Sequence, residues 1–102
     1  MLSEIETHLA MARDAPSGRS AITLFHGRHL AQTLVAMAEG VELHEHENPG
    51  EATLQVLWGR VRLQAGDESW EGSVGDLMPI PQTRHLVLAL EDSAVLLTVA
   101  HR

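Results

Sequence analysis

From residue 20 onward the chain alternates short β-type runs with turn residues so closely that no single run could bury a face by itself. Candidate strands fall at 21–26, 30–38, 41–44, 52–58, 60–65, 69–71, 77–80, 85–90 and 94–100. Between them stand Glu39-Gly40, Asn48-Pro49-Gly50, Gly66-Asp67, Gly72 to Asp76 and Glu91-Asp92-Ser93, residues that accept turn geometry or bond their own backbone. Many short strands at this spacing predict an all-β domain. Closing those strands into a small β-barrel or jelly roll hides edges that would otherwise pair between molecules. Gly59 interrupts a continuous run between Trp58 and Arg60, which predicts a tight bend between successive strands.

The first eighteen residues read differently. Ser3 and Glu6 have capping-box spacing, and Leu2, Ile5, Leu9 and Ala12 recur at helical intervals, predicting a short amphipathic helix to about Arg13. Asp14-Ala-Pro-Ser-Gly18 then breaks it. The expected organisation is a helix and linker over 1–18 and one β domain over 19–102. A length of 102 residues suits one core of ordinary size, and with Phe25, Trp58 and Trp70 the only aromatic residues that core must be aliphatic.

Charge narrows the partners. Fourteen acidic residues face seven basic ones, all arginine, for a net charge of -7. Neither a nucleic-acid backbone nor an acidic membrane surface is expected to attract such a chain. The acidic start, with Glu4 and Glu6, and apolar runs no longer than that of 86–90 predict a soluble cytoplasmic protein. Cysteine is absent, which removes disulfides, thiolate metal sites and cysteine nucleophiles. No Gly-x-Ser-x-Gly elbow or phosphate-cradling glycine loop is present either.

Histidine and carboxylate chemistry remains. His44 and His46 stand two residues apart, so on a strand both imidazoles leave one face and can meet one ion. Glu51 follows beyond the Asn48-Pro49-Gly50 turn, and His85 opens a later strand after Pro79-Ile80-Pro81. Neutral imidazoles with one carboxylate suit Zn²⁺, Fe²⁺, Mn²⁺, Ni²⁺ or Cu²⁺. Glu42, Glu45 and Glu47 are read as alternating with the histidines and facing away. His8, on the helix, and His101 are expected at the surface, as are His26 and His29 in a hairpin. Arg60 and Arg62 are read as solvated edge-strand residues, while Trp58 and Trp70 are expected to pack at strand ends or line a ligand mouth.

At these residues the chain resembles the cupin superfamily, in particular its small single-domain barrels. The first cupin motif reads glycine, five residues, His-x-His, three or four residues, glutamate, six residues, glycine. Gly40, His44, His46, Glu51 and Gly59 stand in that order. The second motif opens at Gly75-Asp76 and closes at His85. The resemblance implies a β-barrel holding a divalent metal through His44, His46, Glu51 and His85, with a small oxygen-bearing ligand bound at open positions. If it is an enzyme, the resemblance implies a metal-dependent dioxygenase, isomerase or similar. A homodimer is the expected assembly.

The spacings depart from the motif in an informative way. Three residues rather than five separate Gly40 from His44, and Ala89 stands where the second motif has asparagine. Seven residues rather than six separate Glu51 from Gly59, and an offset of one exchanges the faces of a strand. Counted back from Gly59, the carboxylate position falls on Ala52. If Leu54 and Val56 face inward, so does Ala52, and Glu51 reaches the interior only through a bulge or turn at the start of its strand. Gln55 is held as a polar group near the cavity. The alternative reading is therefore a metal-free barrel that binds or senses a small molecule without turnover.

Overall fold

The computed structural model describes residues 1–45 and 50–100, residue 45 by its backbone alone. One helix, α1 (Leu2–Asp14), precedes nine strands: β1 (Arg19–His26), β2 (Leu30–Met37), β3 (Glu42–Glu45), β4 (Ala52–Trp58), β5 (Arg60–Ala65), β6 (Glu68–Ser73), β7 (Leu77–Pro79), β8 (His85–Ala89) and β9 (Ser93–Ala100). Every expected strand is present, with ends shifted by a residue or two. The strands form two antiparallel sheets, a five-stranded one in the order β1-β2-β9-β4-β7 and a four-stranded one in the order β3-β8-β5-β6.

Alternation within the strands makes the core. Val35, Met37, Ala52, Leu54, Val56, Met78 and Val95 from the first sheet, with Ile80 just after β7, meet Val61, Leu63, Val87 and Ala89 from the second. These side chains are aliphatic throughout, as a chain with three aromatic residues requires. A second cluster lies on the other side of the five-stranded sheet, where Ile5, Leu9 and Ala12 of α1 cover Leu34, Ala36 and Ala94. The helix therefore caps one sheet from outside and leaves the space between the sheets to the strands.

Two crossings position that space. Gly59 carries the chain from β4 in one sheet to β5 in the other, with φ of 77°, a left-handed conformation that side chains rarely adopt. Beside it, the Ser93 hydroxyl is buried and shares its proton between the carbonyls of Arg60 (2.9 Å) and Glu91 (2.7 Å). At the other crossing, Arg13 Nε donates to Asp92 Oδ2 at 2.7 Å and the Glu39 amide donates to Asp92 Oδ1 at 2.8 Å. Asp92 thus ties α1 to the β8–β9 turn and to the segment after β2.

Some local expectations are corrected. Met1, not Ser3, is the residue that caps α1, and no side-chain cap forms. Ser3 lies inside the helix and donates to Glu4 Oε1, so the Ser3–Glu6 box is not made. The N-terminal ammonium, 3.1 Å from the same oxygen, holds the Glu4 carboxyl down to about 2. His8 is buried rather than exposed, and its Nδ1 lies 2.6 Å from the Ser20 hydroxyl of β1. Arg60 and Arg62 sit on β5, an interior strand of its sheet, and pair with Glu71 and Glu91 on the outer face. No helix among the described residues is long and apolar enough to cross a membrane.

Candidate functional site

Strand register decides where each candidate donor points. On β3, Leu43 stands opposite Val87 and His44 opposite Leu86. Residues paired across an antiparallel ladder share a face. Val87 is buried in the core and Leu43 packs against it, so His44 leaves on the outer face, where its side chain is 65% exposed. There its Nε2 lies 3.3 Å from Glu42 Oε1. Glu42 and His44 are two residues apart and share a face, which corrects the expectation that Glu42 points the other way.

His85 does the opposite. It opens β8 on the same face as Val87 and Ala89 and is 4% exposed. Its Nδ1 donates to the Thr83 carbonyl at 2.9 Å, since a carbonyl oxygen can only accept. That bond fixes the tautomer and leaves the lone pair on Nε2. A recess of about 600 Å³ runs past this end of the sheet, lined by His44, Gln64, Thr83, Arg84, His85 and Leu86 among others.

Glu51 and Ala52 resolve the offset in spacing. Ala52 pairs with Val99 and is buried beside Leu54 and Val56. No bulge opens β4, whose irregularity lies at the far end between Val56 and Trp58. The ladder even extends one residue earlier, because the Glu51 carbonyl accepts from the Ala100 amide at 2.8 Å. Glu51 is exposed and lines a shallow surface recess with Leu30, Thr53, Thr98 and Ala100. The methyl group of Ala52 therefore stands at the interior position that the motif gives to a carboxylate.

Of the expected metal ligands, His85 is inside the barrel, His44 and Glu51 are outside it, and His46 lies beyond the described residues, as do Glu47 and His101. Among the described residues no three histidine, aspartate or glutamate side chains converge. The described donors do not fit a metal held between the sheets: a single imidazole faces that space, surrounded by aliphatic side chains. Gln55, expected near the cavity, shares its face of β4 with Thr53 and Leu57, and Leu57 packs toward α1. Its amide donates to the Gly75 carbonyl at 3.4 Å and so braces a turn.

A largely apolar opening lies elsewhere. β6 and β7 are each an edge strand of one sheet, and between them is a recess of about 570 Å³. Trp70 pairs with Leu63 and so shares its inward face. The recess is lined by Leu63, Trp70, Met78, Pro79, Ile80 and Pro81, with Leu77, Glu71 and Asp76 completing it. Glu71 is engaged by Arg62, 3.1 Å away. Asp76 Oδ2 accepts from the Ser73 amide at 2.9 Å, holding the β6–β7 turn in shape. Of this recess the sequence singled out Trp70, as a residue that could line a ligand mouth, and the Pro79-Ile80-Pro81 segment, though not as lining. The rest depends on Met78 of β7 and Ile80 just after it turning inward, where the strand is too short to show a period.

No family model matches the chain, and no curated protein does. Solved structures do. A cupin superfamily protein from Desulfitobacterium hafniense superimposes with a TM-score of 0.77 at 16% identity, over 82% of this chain and 78% of its own. KdgF from Halomonas sp. gives 0.75 at 23% identity over 87% and 84%. An RmlC-like cupin from Desulfovibrio desulfuricans gives 0.70 at 26% identity over 80% and 81%. The two-sheet jelly roll with one N-terminal helix is the cupin architecture that the motif residues led one to expect.

Proposed function

We propose that this chain, a cupin by fold, is a small-molecule-binding barrel whose ligand seats in the recess between β6 and β7. The observation carrying the proposal is the lining itself: an indole, four aliphatic side chains and two prolines around about 570 Å³, within the volume range of small-molecule sites. Such a wall rewards a flat or branched apolar body, and Trp70, 42% exposed, supplies a ring for it to stack on. Both carboxylates at the rim already have structural partners, so affinity rests on apolar area rather than charge. No residue among the described ones offers a nucleophile beside an activating base in this recess. Binding without turnover is accordingly the reading adopted.

Trp58 is replaced by phenylalanine so that Trp70 is the only emitter, and a neutral apolar probe, N-phenyl-1-naphthylamine, is titrated in. Saturable one-to-one binding with energy transfer from Trp70 is expected. Trp70→Ala should weaken the probe by about tenfold or more, as loss of a stacked aromatic wall does. Binding unaffected by both Trp70→Ala and Met78→Lys would place the probe elsewhere and overturn the proposal.

A further inference from the structure

A different part of the molecule, the interior beside β4 and β8, carries an inference about the metal that a cupin barrel implies. Two starting residues share one end of the barrel. Gly59 turns β4 back into β5, and β8 runs antiparallel to β5, so β4 and β8 point the same way and begin at the same end. Ala52 opens β4 and His85 opens β8. Their depths agree as well. Ala52 lies seven residues before Gly59, and His85 lies one step beyond the Gln64–Leu86 pair, six residues past that glycine. Both are buried and both belong to inward-facing rows.

We infer that the interior is kept metal-free by an offset of one residue: the carboxylate needed beside His85 is present in the chain, but at position 51 instead of 52. Among the described side chains, a divalent ion placed there would give up its water for one imidazole and a wall of methyl groups, and burial of a charge without paired donors is strongly unfavourable. His44 cannot compensate, because the β3–β8 register sends it to the outer face with Leu86. His85 meanwhile keeps the arrangement that metal-binding imidazoles use, one nitrogen donating to a carbonyl and the other left with a lone pair. The position is thus half built, and the missing half is a matter of register and not of composition.

The test exchanges residues 51 and 52, as Glu51→Ala with Ala52→Glu, so that length, composition and net charge stay constant. Zn²⁺, Ni²⁺ and Mn²⁺ are titrated into untagged wild-type and exchanged proteins by calorimetry, with melting temperature as the second readout. Wild type is expected to take up no stoichiometric ion and to melt at the same temperature with and without metal. The exchanged protein should bind one ion at least about tenfold more tightly and rise in melting temperature by roughly 5 °C at metal well above its Kd. His85→Ala in the exchanged protein should abolish both effects.

A wild-type protein that binds one equivalent, lost in His85→Ala, overturns the inference. So does an exchanged protein that folds yet gains no metal. Should burial of the longer side chain prevent folding, Ala52→Asp with Glu51→Ala is the second variant, judged by the same two readouts. If neither variant folds, the wild-type titration against His85→Ala decides alone.

Discussion

At the scale of single residues, position 59 has the least freedom. A Cβ there would press into the Asp92 carbonyl and the Ser93 side chain, and its φ of 77° is costly for anything but glycine. The same contacts let Ser93 reach the carbonyls on either side, so the bend and the buried hydroxyl form one unit. Gly59→Ala is expected to destabilise the fold by about 2–3 kcal/mol through combined strain and contact. Urea unfolding measures it: a midpoint within error of wild type would show that the bend relaxes. The sequence exposed this glycine because it broke a β run. It also placed Ala52 inward, since Leu54 and Val56 set the alternation. It misplaced Glu42, which shares a face with His44 simply because both numbers are even. Gln55 went astray for a related reason, because it lies on the outer face of β4 with Thr53 and Leu57, not on the one lining the interior.

At the scale of elements, strands were readable because a two-residue period survives in five or six residues, whereas the helix was readable only in outline. Its apolar residues fixed its length, but the cap could not be read from Ser3 because the helix starts at Leu2 and so takes Ser3 into its first turn. Burial of His8 was invisible for another reason: its partner, Ser20, is brought in by β1. What holds α1 against the sheets is partly electrostatic. The Arg13 guanidinium, and after it the Glu39 amide, lower the Asp92 carboxyl below its ordinary value of 3.8. A depressed carboxylate stabilises the folded state above its unfolded pKa and loses that contribution as pH falls through the folded one. Asp92→Asn should therefore cost on the order of 1 kcal/mol at neutral pH, discounted because both partners are partly solvated. The difference between variant and wild type should vanish in acid, below the folded pKa. Denaturant unfolding at neutral pH and in strong acid checks the sign. A penalty that persists in acid would mean that the side chain acts by shape and not by charge.

At the scale of the whole molecule, five strands face four, and the extra strand has no counterpart. Among the described residues β1 is paired with β2 alone. Ala21 and Thr23 lie opposite Val35 and Thr33, on the side that elsewhere forms the core, yet both are exposed. On its other side Ile22 and Phe25 are 38% and 51% exposed. A strand with one free edge and apolar side chains is a site for pairing, and antiparallel pairing of two identical edges about a two-fold axis satisfies both at once. A homodimer through β1 is the expected state, read by light scattering as twice the 11.2 kDa chain mass. Ile22→Glu would set like charges against each other across that axis and should shift the protein to monomer while circular dichroism stays unchanged. A wild type that remains monomeric at its highest soluble concentration would instead leave the edge unpaired. The overhang of β1 would then be blunted only by the short hairpin at Gly27 and the polar residues around it.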